Sequence, residues 1–203
     1  MKPFLKNVLQ IFWGMHRPLV FKNKNLQNIH AGETCFIFAN GGSLKYYDIS
    51  KLPDVACLAC TFSLTDDRMK SLNPKYYVVA DSYALYSLLF NTQPHVRRFQ
   101  VNKMKLVFED IFKTNRDTKI FVNISNFYAK ICRRTNIQYY HYFEDRNSFK
   151  HDLAGSFSNC RGSLDTMLGV AKYLGFTEAL LFGCDYLGTS PMEGHFYSDK
   201  KPS

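Results

Sequence analysis

The sequence predicts an α/β fold: a Rossmann-like, mainly parallel sheet with helices on both faces and an amphipathic helix appended at the N-terminus. Three observations carry that expectation. Short apolar runs of strand length alternate with segments of helical periodicity along the 203 residues. The runs themselves are close to wholly apolar, as strands covered on both faces are. Polar and glycine-rich residues then collect at the carboxyl ends of those runs, where open parallel sheets hold their ligands.

Taken in order, Phe4, Leu5, Val8, Leu9, Phe12 and Trp13 recur at helical spacing with Lys2, Lys6, His16 and Arg17 among them. This helix suits either a peripheral place at a membrane interface or packing on the domain or on a partner chain, a homo-oligomer included. With the polar stretch from Pro18 to His30 it forms an appended region over 1–30, and the Rossmann-like domain is expected over 31–203. Cys35 to Ala39 is the first strand, and Asn40-Gly41-Gly42-Ser43 stops it. Leu44 to Ile49 begins a helix, with a short helical piece from Tyr46 to Lys51 closed by Pro53. Val55 to Cys60 is the second strand, ending in Thr61-Phe62-Ser63. Asp66 to Ser71 is a short helix, and Tyr76 to Ala80 is the third strand, closed by Asp81-Ser82.

Ser82 caps a helix from Tyr83 to Phe90. Apolar positions 101, 104, 107, 108, 111 and 112 predict a helix over Val101 to Asn115. Lys119 to Ile124 is the fourth strand, ending in Ser125-Asn126, and Phe127 to Arg134 reads as helical. Ile137 to Phe143 is an edge strand, followed by a polar lid or surface loop from Glu144 to Ser158. Ser163 heads a helix to Leu174, for which Gly175 is the stop. Ala179 to Phe182 is the fifth strand, closed by Gly183-Cys184-Asp185-Tyr186.

The totals narrow the function classes. Lys+Arg 26 against Asp+Glu 17 give +9, which suits an anionic ligand or surface. The basic residues are scattered and accompany no nucleic-acid-binding motif, so no nucleic-acid partner is expected. The six cysteines fall largely within apolar runs, as buried free thiols do, and point to a reducing, cytoplasmic setting. Cys57 and Cys60 are the one close pair. In a strand their spacing sends them to opposite faces, so no metal site is expected there. No apolar run is long enough to span a bilayer.

The loop Asn40-Gly41-Gly42-Ser43 carries the strongest local chemistry. Paired glycines let backbone N–H groups approach a ligand, and Ser43 adds a hydroxyl ahead of a helix start. Together these suit a phosphate, while a plain strand-to-helix turn explains the same residues. Thr61, Asp81, Ser125, Asn126 and Asp185 stand at the other strand ends and would line one polar crevice with the loop. Asp185 suits a ribose or acceptor hydroxyl, a base, or a cap of the next turn. His195 has a side chain suited to general-base work, and Tyr186 and Tyr197 could donate to a departing phosphate.

Two blocks resemble a known family. Phe38-Ala39-Asn40-Gly41-Gly42-Ser43-Leu44-Lys45, followed by Asp48 and Leu52-Pro53, resembles the opening motif of the bacterial sialyltransferases of glycosyltransferase family 42. A second block resembles the same family: Ser163, the helix Met167 to Leu174, Gly175-Phe176, and Leu180 to Tyr186 with Gly183-x-Asp185. Much the same blocks occur in the broader MptE-like group, which includes an archaeal pterin diphosphokinase. Pro74-Lys75-Tyr76-Tyr77-Val78-Val79-Ala80-Asp81 is more similar to that group.

The resemblance implies an inverting glycosyltransferase of surface-polysaccharide assembly. Its donor would be a nucleotide-activated sugar, CMP-linked by preference, its acceptor a surface glycan, and it would require no cofactor or metal. It places Asn40, Gly41, Ser43 and Ser163 at the nucleotide, with Gly42 between them in the loop, and has two tyrosine hydroxyls stabilise the leaving phosphate; one falls at Leu187 next to Tyr186, the other at Phe196 or Tyr197. Thr61, and Ala80 beside Asp81, stand where the family has asparagines. The family's histidine base lies downstream of this segment, so here the base is His195, a residue beyond Ser203, or none. The alternatives are an MptE-like diphosphokinase using ATP and Mg, with Asp81 and Asp185 as metal carboxylates, and a non-catalytic nucleotide- or glycan-binding module.

Overall fold

The computed structural model describes residues 14–60, 63–65, 67–70, 72–80, 94–114, 117–129, 135–143, 150–158 and 162–185. The apolar helix expected over 4–13, the helix over 83–90 and most of that over 127–134 lie outside these residues.

Six strands form one parallel sheet. They are β1 (Thr34–Phe38), β2 (Cys57–Cys60), β3 (Tyr76–Val79), β4 (Lys119–Asn123), β5 (Ile137–Tyr140) and β8 (Glu178–Phe182), in the order β5-β4-β3-β2-β1-β8. β6 (Tyr142–Phe143) and β7 (Phe157–Ser158) make a separate parallel pair. Among the helices, α1 is described over residues 14–21 and α2 spans Asp67–Lys70. The chain therefore steps outward from β1 to β5, then returns to set β8 on the far side of β1. This is the α/β Rossmann-like arrangement that the alternating pattern predicts.

The two-residue alternation of each strand divides the core. Phe36, Phe38, Cys57, Ala59, Tyr77, Val79, Ile120 and Val122 face one way. They pack under Met104, Val107, Phe108 and Ile111 of the helix α3 (Pro94–Thr114). Cys35, Ile37, Leu58, Cys60, Tyr76, Val78 and Phe121 face the other way, under Met167, Val170, Ala171 and Leu174 of the helix α4 (Ser163–Leu174). Cys57 and Cys60 thus lie on opposite faces, as a spacing of three in a strand requires. Burial pushes the thiols of Cys35 and Cys57 up to about 11.

Several boundaries differ from the sequence expectation. α3 begins at Pro94, two turns before the apolar periodicity becomes visible at Val101, because residues 94–100 are largely polar. Proline is well placed in a helix's first turn, where its missing N–H costs nothing. The expected edge strand Ile137 to Phe143 is broken at His141 into β5 and β6, and β6 leaves the main sheet. The expected helix over Leu44 to Ile49 is a 3₁₀ turn (Gly42–Tyr46), an extended Tyr47, then a second 3₁₀ turn (Ile49–Lys51). Asp48 caps the second turn by accepting from the Ser50 N–H, and pulling its own backbone extended interrupts the helix.

α4 matches its expected limits. Gly175 ends it in the left-handed region (φ 97°), and its N–H reaches the Ala171 and Lys172 carbonyls. A side chain at 175 would also sit 2.8 Å from the Asn28 backbone. The C-terminal end of α4 is pinned at the amino edge of the sheet. There the His30 N–H donates to the Leu174 carbonyl (2.9 Å) and the Thr177 N–H to the Glu33 carbonyl (3.0 Å), just before β8 and β1 begin side by side. α4 must therefore run antiparallel to the strands, with Ser163 at their carboxyl edge.

Candidate functional site

The reversal of strand order falls between β1 and β8. In open α/β sheets the ligand crevice opens at such a point, beyond the carboxyl ends of the two strands. The loops leaving β1 and β8 are the ones that carry the two motif blocks.

The loops are joined directly. The Ala39 N–H donates to the Phe182 carbonyl (2.9 Å) and extends the β1–β8 ladder by one step. The Gly41 N–H then donates to the Gly183 carbonyl (2.8 Å). Beyond it the Ser43 N–H donates to Oδ2 of Asp185 (2.9 Å), and the Ser43 hydroxyl donates to Oδ1 of the same carboxylate. Asp185 is only 7% exposed. The approach depends on glycine, since a Cβ at position 41 would lie 2.6 Å from the Asp185 carboxyl carbon. Gly183 has φ +66°, and a Cβ there would meet Leu44 at 2.7 Å.

This answers the question the loop's sequence poses. The donors that suited a phosphate, the Ser43 N–H and hydroxyl at the start of a 3₁₀ turn, hold the carboxylate of Asp185. The Gly41 N–H is spent on a backbone carbonyl. A short 3₁₀ turn also aligns fewer peptide dipoles than the helix expected there. Asp185 was legible as a strand-end carboxylate, but its bond to Ser43, 142 positions away, was not.

The other expected residues separate into two groups. Asn40 is half-buried, and its amide nitrogen lies 3.7 Å from the Cys60 sulfur, tying the loop to the end of β2. Ser163 is half-buried at the start of α4, on the same edge of the sheet as Gly41, Gly42 and Ser43. Ser125 and Asn126 serve the turn after β4. The Ser125 N–H donates to the Asn123 side chain (2.9 Å), and the buried Asn126 amide donates to the Asn123 carbonyl (3.3 Å). Asn123, which the sequence reading passed over, organises that strand end. An asparagine two residues ahead of the N–H it caps is the signal that marks it. Thr61, Asp81, Tyr186, His195 and Tyr197 lie outside the described residues.

Beside the Asp185 carboxylate, Cys184 has its thiol pushed up to about 11, first by burial and then by that charge. It is therefore a poor nucleophile at neutral pH. Among the described residues no group of three His, Cys, Asp or Glu side chains is placed to hold a metal ion. Among the same residues no helix is long and apolar enough to cross a membrane. No protein-family model, curated protein or solved structure matches the chain.

Proposed function

We propose that this chain is an inverting glycosyltransferase that takes a sugar from a nucleotide-activated, CMP-linked donor and passes it to a surface glycan. One observation carries the reading. The two sequence blocks that resemble the sialyltransferases meet through Gly41–Gly183 and Ser43–Asp185, partners 142 positions apart, at the reversal of strand order. The start of α4, with Ser163, lies on the same edge.

In this proposal the nucleoside lies over residues 40–43 and the phosphate lies toward the start of α4. A second anion over Ser43 would be repelled by Asp185, whereas the first turn of a twelve-residue helix offers N–H groups and a favourable dipole. His195 then takes the acceptor proton, and Tyr186 and Tyr197 donate to the departing phosphate, as the resemblance implies. Asp185 holds the loop that carries Asn40 and Ser43, so it is a positioning residue here.

The diphosphokinase alternative asks Asp185 to bind Mg, although both its oxygens already accept from Ser43. The test is calorimetry with CMP, UDP and Mg-ATP, followed by incubation with CMP-sialic acid, CMP-Kdo and UDP-sugars. The expected result is binding of CMP and release of CMP from at least one donor. ATP-dependent AMP release would replace the proposal with the diphosphokinase. Binding with no turnover, unchanged by His195→Ala, would replace it with a non-catalytic module.

A further inference from the structure

The loop after β1 has the parts of a phosphate cradle: a glycine turn, then a backbone N–H and a hydroxyl that converge on one point. In nucleotide-binding loops that point is taken by a phosphate of the ligand. Here the chain itself takes it. Oδ2 of Asp185 accepts from the Ser43 N–H at 2.9 Å, and Oδ1 accepts from the Ser43 hydroxyl. The N–H groups of Gly41 and Leu44 are committed as well, to the Gly183 carbonyl (2.8 Å) and the Gly41 carbonyl (3.2 Å).

We infer that Asp185 is a specificity-determining residue. Its carboxylate fills the seat of a second phosphate, so the site admits donors with a single phosphate and disfavours nucleoside diphosphates and their sugars. The inference rests on the carboxyl edge being a nucleotide site, and it adds the residue that sets how many phosphates fit there.

The geometry holds the carboxylate in place. Asp185 is 7% exposed, so a ligand reaches the Ser43 donors only by moving it. Its backbone follows Gly183, which is fixed by a φ of +66° and by the bond from Gly41. The Gly41 backbone closes over it, since a Cβ at 41 would lie 2.6 Å from both the carboxyl carbon and Oδ2. A group tethered in this way competes at an effective concentration on the order of millimolar or above, so a nucleotide at micromolar levels does not displace it. A phosphate set against it also meets a like charge.

The test compares CMP, CDP and inorganic phosphate on the full chain and on Asp185→Ala, which empties the seat and leaves both Ser43 donors without that acceptor. On the unmodified chain CDP should bind no tighter than CMP by calorimetry. Asp185→Ala should melt lower, and phosphate at millimolar levels should recover part of the loss. In that variant CDP should gain about tenfold over CMP, which is what one charge-assisted hydrogen bond is worth. Adding Ser43→Ala should remove both gains, which separates filling of the seat from the general stabilisation that phosphate gives folded chains. Should Asp185→Ala not fold, Asp185→Asn takes its place. This isostere removes the like charge, and CDP should gain a few-fold over CMP. The inference alone is overturned, and the nucleotide site stands, if the unmodified chain binds CDP tenfold tighter than CMP. The same holds if the CDP-to-CMP ratio is equal in the unmodified and substituted chains, or if phosphate leaves a folded Asp185→Ala unchanged. Binding of neither nucleotide by the unmodified chain overturns the nucleotide reading and this inference with it.

Discussion

The two ends of the β1–β8 pair are closed by different chemistry. At the amino end, His30 stacks on Phe176 (centroids 4.4 Å apart, planes within 8°) and meets the Tyr76 hydroxyl at 2.7 Å through Nε2 and Glu33 at 2.8 Å through Nδ1. Tyr76 is buried, and burial, reinforced by the Glu33 charge, pushes its hydroxyl up to about 12. It therefore stays protonated beside the imidazole. At the carboxyl end the seal is a carboxylate bound to a serine across a glycine loop. The first end is joined by aromatic rings and a buried hydroxyl. The second brings backbone, hydroxyl and charge together with no bulk between them. The proposed function uses the carboxyl end.

The comparison can be broken most forcefully at Gly41. Gly41→Ala puts a methyl against the Gly183 carbonyl and the Asp185 carboxyl, which are held backbone and a buried side chain. Overpacking of this kind should cost about 3 kcal/mol. In a chain of this size that corresponds to a melting temperature lower by roughly 6–12 °C, measurable by calorimetry. An unchanged melting temperature would mean the loop is looser than the contacts imply.

His30→Ala tests the other end. It removes a stacked ring and leaves the buried Tyr76 hydroxyl without its hydrogen-bond partner, a loss of about 2–3 kcal/mol. Urea unfolding should show this cost, while nucleotide titration of the folded variant should be unaffected. Loss of nucleotide binding at full stability would show that the amino end takes part in the site.

Acid should weaken the fold through His141 and His151. Burial lowers His141 to about 4, and burial with the Lys172 charge lowers His151. In the window between about 6.5 and about 4 the unfolded chain binds more protons than the folded one, so stability rises with pH there and is lost as pH falls. Discounting for the rings' partial exposure, stability at pH 5 should be about 1 kcal/mol below that at pH 7. His141→Gln should flatten the slope, and a slope left intact would assign it to other groups.

The smallest effect sharpens the carboxyl end. The Asp185 charge contributes to raising the Cys184 thiol, so Asp185→Asn should speed alkylation of Cys184 at pH 8. Site-resolved mass spectrometry would show a change of a few-fold. The buried Cys35 and Cys57 should stay unreactive in both proteins. Equal rates at Cys184 would leave burial as the whole cause of its raised thiol.

The sequence by itself determined the parallel sheet, since unbroken apolar runs alternating with helical periods can be buried in few other ways. It marked α4 to the residue, because its serine start and glycine stop are local signals. It also sent Cys57 and Cys60 to opposite faces, which follows from the period of a strand. The break at His141 and the 3₁₀ turns after β1 were not legible. They depend on which neighbour each short segment meets, and local propensity is too weak to decide that. Only the tertiary structure decided that Ser43 would spend its donors on Asp185 and that β8 would pair with β1. Both are contacts between segments far apart in the chain. A residue's polarity shows that it needs a partner, and the packing of the sheet settles which one it gets.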